Sequence, residues 1–226
     1  MIKYVLLDFD GTIGDTQSLI VRTLQDTMRR RHLEVKSYEA CAGTIGMRLD
    51  EAFESLFHLG TEESARCADT YREIFAENKE KIKVQAFPHV LDTIRQLHAM
   101  GVQLAITSSR YRISLLGYVE QMDIADCISS IVAGDDVEHV KPAPDMVFKA
   151  LREMGGAESD LPALKTEALV VGDMTFDIDM AHAAGVRACA VSYGNGTRQQ
   201  LSAAEFVIDD FAELADIVGG ENACGK

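Results

Sequence analysis

Two carboxylates, Asp8 and Asp10, stand two residues apart at the end of the apolar run Tyr4-Val-Leu-Leu, with Gly11 and Thr12 directly after them. Like charges this close repel unless a cation or a shared proton offsets them. Further polar residues follow later apolar runs: Thr107-Ser108-Ser109-Arg110, then Lys141 beyond Gly134-Asp135-Asp136, then Asp173 with Asp177. Each has a plain structural use. Thr107 and Asp173 are candidate helix caps, and Lys141-Pro142-Ala143-Pro144 is a candidate surface turn in which Pro144 opens a helix. Taken together, acids, a hydroxyl and a lysine at successive strand ends fit a convergent polar site better.

Such a set supports phosphoryl transfer. Asp8 and Asp173 offer hard oxygen ligands of the kind Mg²⁺ prefers. A carboxylate beside the metal can attack phosphorus and become an aspartyl-phosphate. The second carboxylate, offset by two residues, can protonate the leaving oxygen and later activate water. Thr107 and Lys141 would hold the phosphoryl oxygens. Gly11 would let the backbone approach the phosphate closely.

To bring these residues to one place, the apolar runs must be neighbouring strands. Short apolar runs bounded by turns read as buried strands of a parallel sheet, and open α/β sheets bind ligands at the C-terminal ends of their strands. From Pro88 onward the pattern predicts helices at about 90–100, after Arg110, at 145–154 and at 177–184. Strands are predicted at 102–106, 127–133, 168–172, 186–191 and 206–208. This alternation implies right-handed βαβ crossovers and a doubly wound, Rossmann-like parallel α/β sheet. From about Asp15 to Lys83 the signals are helical instead. Asp15 is a candidate N-cap, Ile20, Leu24 and Met28 recur at i+4, and Ala68, Tyr71, Phe75 and Lys79 share one face. Several helices exceed the needs of one crossover and predict an inserted all-helical subdomain. The expected division is an α/β core of residues 1–15 and 88–226 and an inserted helical subdomain of residues 16–87. Residues 219–226 have little apolar content and are expected to fray.

With 226 residues, 47% of them apolar, the chain has the composition of an ordinary globular protein. A formal charge of −14 argues against a nucleic-acid surface or adhesion to an anionic membrane. The cysteines (Cys41, Cys67, Cys127, Cys189, Cys224) are odd in number and form no CxxC, which fits reduced thiols and gives no zinc signature. The acids at 8 and 10 cut the first apolar run short of a secretory segment, and no run reaches transmembrane length. The expected setting is cytoplasmic, with a small phosphorylated substrate and an oligomeric state left open between monomer and dimer.

The constellation resembles the haloacid dehalogenase superfamily, over nearly the whole chain. Asp8-Phe9-Asp10-Gly11-Thr12 resembles its DxDx[TV] motif, Thr107-Ser108 its second motif, Lys141-Pro142 its third, and Gly172-Asp173-Met174-Thr175-Phe176-Asp177 its GDxxxD motif. The resemblance implies Asp8 as nucleophile and Mg²⁺ ligand, Asp10 as general acid/base and a ligand through its carbonyl, and Asp173 as the second carboxylate ligand. Asp177 would lie in the outer sphere, and the helical insertion would be a cap that closes over substrate. Dehalogenases and phosphonate-cleaving relatives lack the second Asp, so Asp10 points to a phosphatase. β-Phosphoglucomutase-like members usually carry a His where this chain has Ile20, which disfavours a mutase. A signalling receiver domain fits less well, since receivers have no large helical insertion. Phosphoglycolate phosphatase-like members match best, including the segment at 191–197. Arg110 and Arg48 are candidate substrate or phosphate ligands, and Ser108 a further phosphate ligand. His89 and His182 are expected to be structural, and Asp135 and Asp136 to sit near the metal or to form a turn.

Overall fold

The computed structural model describes residues 1–155, 157 and 160–223. The first strand, β1 (Tyr4–Leu7), leads to Asp8. After Asp10 the chain forms β2 (Gly14–Asp15), which pairs antiparallel with β3 (Gln85–Ala86) in a ribbon of two residue pairs. Between the two lie α1 (Gln17–Arg30), α2 (Tyr38–Ala42), α3 (Leu49–Phe57) and α4 (Thr61–Lys79). These helices share an apolar centre of their own, with Ile20, Val21, Leu24, Met28, Phe53 and Tyr71 all buried.

From α5 (Val90–Ala99) onward helix and strand alternate. β4 (Gln103–Thr107), α6 (Arg112–Gln121), β5 (Ser130–Val132), α7 (Asp145–Gly155) and α8 (Leu161–Thr166) follow in turn. The chain then forms β6 (Ala168–Gly172), α9 (Thr175–Ala184), β7 (Arg187–Val191), β8 (Phe206–Ile208) and α10 (Glu213–Ala223). Six strands make one parallel sheet in the order β5-β4-β1-β6-β7-β8. This is the doubly wound α/β architecture expected from the sequence.

Successive strand residues face opposite sides, so a strand covered on both faces must be apolar throughout. β1 meets that demand. Val5 and Leu7 pack with Val90, Ile94 and Leu97 of α5 and Leu214 and Val218 of α10, while Leu6 packs with Met146, Val147 and Leu151 of α7. Each such side chain stabilises the fold by about 1.5–3 kcal/mol when fully buried. Register then decides where the polar residues fall. Leu7 lies opposite Ile106 of β4 and Val171 of β6, so three strands end level with one another. β1 has later strands on both sides, which makes its end a switch point and opens a crevice there.

Four local expectations need correction. Asp15 does not cap α1: it pairs with Gln85, and Thr16 takes the cap position without a side-chain capping bond. Asp173 does not cap α9 either; that position is Met174, and the Asp177 carboxylate accepts its backbone N–H at 3.1 Å. The strand expected at 127–133 is limited to Ser130–Val132, because a 3₁₀ turn occupies Ala125–Cys127. The expected fraying from 219 is replaced by helix through Ala223, anchored by buried Leu214 and Val218, and residues 224–226 lie outside the described residues. Cys41, Cys67, Cys127 and Cys189 are free thiols, while Cys224 is outside the described residues. No helix among the described residues is long and apolar enough to cross a membrane.

Candidate active site

The level strand ends bring the polar residues of four segments together. Asp8 follows β1, Thr107 ends β4 and Asp173 follows β6, and all are buried. Lys141 reaches in from the loop before α7. Its Nζ donates to Asp8 Oδ1 and, at 2.6 Å, to Asp177 Oδ1 from the first turn of α9. Its side chain is only 1% exposed, so the ammonium is almost wholly removed from water. Burial opposes its charge, but attraction to Asp177 and Asp8 outweighs that and raises its pKa.

The carboxylates outnumber this cation. Oxygens of Asp8, Asp173 and Asp177 lie within 4.8 Å of one another. Burial raises the Asp8 carboxyl well above the ordinary range against the pull of Lys141, and Asp177, Asp173 and Asp10 add to the rise. Asp173 is pushed up to about 7, first by burial and then by Asp177, although hydrogen bonds from Asn195 oppose the shift. Three buried hard-oxygen donors with a deficit of positive charge form a fitting site for a divalent cation such as Mg²⁺.

Asp10 faces a different set of partners. Thr16 Oγ1 donates to its Oδ1 at 2.6 Å, and Arg110 Nε donates to Oδ1 and Oδ2 at 2.8 and 2.7 Å. Gly11 has φ +91, and a Cβ there would land on the Asp173 carboxylate and on Asn195. This position therefore needs glycine for both its backbone and its space. The Thr107 hydroxyl is buried and has no hydrogen-bond partner among the described residues. A buried orphan of this kind calls for a ligand atom or an ion. Ser108 is buried beside it and accepts the Arg110 backbone N–H at 3.3 Å.

A cavity of about 780 Å³ opens above these residues, between the insertion and the sheet edge. Asp8, Asp10, Ser108 and Arg110 line its floor, and Ile20, Leu24, Tyr71 and Phe75 belong to its insertion side. Ile20 thus serves an apolar wall, as its spacing with Leu24 implied. Arg48 also lines the cavity, half-exposed, with its Nε 3.3 Å from Asp50. It is not drawn into the carboxylate cluster.

Several other candidates lie elsewhere. Asp135 accepts the Arg112 backbone N–H at 2.9 Å and Asp136 pairs with the Arg112 side chain at 2.5 Å, so both tie the turn after β5 to the start of α6. His89 pairs with Asp210 and His182 with Glu205 in exposed positions. Two contributors escaped the sequence reading. Asn195 gives Asp173 Oδ2 a backbone N–H at 2.6 Å and a side-chain N–H at 2.7 Å, and Thr16 binds Asp10 as described. Asn195 lies between Gly194 and Gly196 after β7, and a Gly-Asn-Gly turn at a strand end was the available signal.

A doubly wound sheet with a buried carboxylate cluster at its switch point and a helical insertion after β1 defines the class of this protein. The model of the haloacid dehalogenase-like hydrolase family matches residues 5–191, and the chain belongs to that family. The "Probable phosphatase IndB" of Dickeya dadantii (strain 3937) is 32% identical over 98% of this chain and 94% of its own length. The "Pyrophosphatase PpaX" of Oceanobacillus iheyensis is 29% identical over 96% of this chain and 97% of its own. A haloacid dehalogenase-like family hydrolase from Streptococcus pneumoniae shares the fold with a TM-score of 0.80, at 20% identity, over 96% of this chain and 98% of that one.

Proposed function

We propose that the protein is a Mg²⁺-dependent phosphatase that hydrolyses a small phosphorylated metabolite, phosphoglycolate-like or a sugar phosphate, through an aspartyl-phosphate on Asp8. The observation that carries this reading is the buried cluster of Asp8, Asp173 and Asp177 around the Lys141 cation, beside the Thr107 hydroxyl, which has no partner among the described residues. Asp8, Asp173 and the Asp10 carbonyl would hold the metal, with Asp177 fixing Lys141 behind them. When bound, Mg²⁺ would offset the charge of the phosphoryl oxygens and of the carboxylates.

The residues divide the work as follows. An Asp8 oxygen bonds to phosphorus while the bond to the ester oxygen breaks, and Asp10 gives that oxygen its proton. Asp10 then takes a proton from water as the water attacks phosphorus, which releases phosphate and restores Asp8. Thr107, Ser108, Lys141 and the backbone at Gly11 would hold the phosphoryl oxygens. Residues 16–87 would act as a cap on the core of 1–15 and 88–226, excluding water on closure, with Arg48 as a candidate contact for the rest of the substrate. We place the enzyme in the cytoplasm.

Purified protein with Mg²⁺ should hydrolyse 4-nitrophenyl phosphate and at least one member of a panel of phosphoglycolate, sugar phosphates and pyrophosphate. Asp8→Asn should abolish turnover with an unchanged circular dichroism spectrum. Absence of turnover across the panel would sink the proposal. A requirement for a sugar bisphosphate primer would replace it with a mutase.

A further inference from the structure

Arg110 was expected on the phosphate, yet its contacts lead elsewhere. Its Nε donates to both oxygens of Asp10, at 2.8 and 2.7 Å, and its Nη1 donates to Ser114 Oγ at 3.2 Å. The guanidinium carbon stands 5.9, 5.0 and 5.4 Å from the ring centres of Phe9, Phe75 and Tyr118, respectively. Planar guanidinium groups stack well on aromatic faces, and here the rings limit the orientations open to the head group. The Arg110 backbone is fixed as well, since its carbonyl accepts the Gly134 N–H at 2.7 Å. Its side chain is 11% exposed and that of Asp10 is 10% exposed. Both Asp10 oxygens accept from the Arg110 Nε–H.

We propose that Arg110 is a positioning residue that holds Asp10 as an oriented carboxylate for the hydrolysis of the phosphoenzyme, and is not a clamp for the substrate phosphate. This inference rests on the phosphatase reading. Of the two half-reactions, only the second begins with Asp10 as an anion: it must accept a proton from water as the Asp8–phosphorus bond breaks. A cation fixed on both oxygens suits that step. It adds nothing to the first step when the leaving group departs without a proton. Phe75 belongs to α4, so the helical insertion supplies one face of the pocket that keeps Arg110 in place.

The test is rapid-mixing and steady-state kinetics on 4-nitrophenyl phosphate with Mg²⁺, since 4-nitrophenolate leaves without protonation. Under the proposal, Arg110→Gln keeps kcat/KM within about threefold of wild type, because that ratio reports formation of the phosphoenzyme. Its kcat and KM fall together, by about 10²-fold, the usual effect of a misplaced catalytic group. A burst of about one 4-nitrophenolate per site precedes the slow steady state. Arg110→Lys shows the same split to a smaller extent. The double variant Asp10→Asn/Arg110→Gln is no slower than Asp10→Asn alone.

A raised KM at unchanged kcat would overturn the proposal in favour of a phosphate clamp, and unchanged kinetics would reduce the contact to a structural ion pair. If Arg110→Gln fails to fold, Arg110→Lys, which keeps the charge, decides by the same split. Wild-type protein without turnover or burst would instead reject the phosphatase reading, and this inference with it.

Discussion

Lys141 is the residue on which the electrostatics of the site turn, because it is the sole cation among the described residues bonded to Asp8 and to Asp177. Removing one partner of a buried pair leaves the other charge without compensation. Lys141→Met should therefore destabilise the metal-free protein by about 3–5 kcal/mol in urea titrations. Gly172 is constrained by space: a Cβ there would land on the Asp177 carboxyl. Gly172→Ala should cost about 1–3 kcal/mol by overpacking, read as a lowered urea midpoint at unchanged m-value. Asp8, Asp10, Thr107, Lys141 and Asp173 were legible in the sequence because each ends or follows an apolar run, and strand register does the rest. Thr16 and Asn195 were not. Their partners are fixed only once the chain has folded back, in one case through a ribbon and in the other from a neighbouring strand. The contact of Arg110 with Asp10 was not legible either, since a sequence does not reveal which anion an arginine meets.

Among the elements, the helices of the insertion carry their own apolar centre, in which Phe53 is fully buried. Phe53→Ala should remove about 3–5 kcal/mol from that centre. Hydrogen exchange should then quicken in α3 and α4 while β1, β4 and β6 keep their protection, because Phe53 belongs to neither of the sheet's apolar clusters. Equal acceleration throughout would show that insertion and sheet open as one unit. The strands and long helices were legible from periodicity. Beyond Pro88 two helices were not predicted: α8, with only Leu161 and Leu164 buried, offered too little pattern, and α10 ends in turns rich in glycine and polar residues. In both, tertiary contact decides what local composition leaves open.

For the whole molecule, the carboxylate cluster ties stability to pH. Asp173 has its pKa raised to about 7 in the folded state. Its contribution to stability is thus fully present below its unfolded pKa of about 4 and is lost as pH rises through 7. Other carboxylates work in the opposite sense: Asp136, lowered by Arg112 against burial, gives stability above its unfolded pKa and loses it in acid. The difference between wild type and Asp173→Asn separates the two. In metal-free protein, Asp173→Asn should gain stability relative to wild type between pH 5 and pH 8. Adding Mg²⁺ at pH 8 should reverse the order, since only wild type binds the ion well; about 2.7 kcal/mol is expected at a hundredfold excess over Kd. Thermal melts at the two pH values check both signs.

The β2–β3 ribbon has a consequence for how such a chain can change. The chain leaves the sheet at Gly14 and returns at Ala86, and these two residues are paired partners. Entry and exit of the helical insertion are thus one spot in space, and the sheet order does not depend on what lies between them. A foreign helical segment with close-set ends could be spliced there while β1 still delivers Asp8 and Asp10 to the switch point. Thr16, two residues past Gly14, would need to be kept for Asp10, and an aromatic ring in the place of Phe75 for Arg110. Selection could then exchange the helical insertion as a cassette and leave the carboxylate cluster inherited intact.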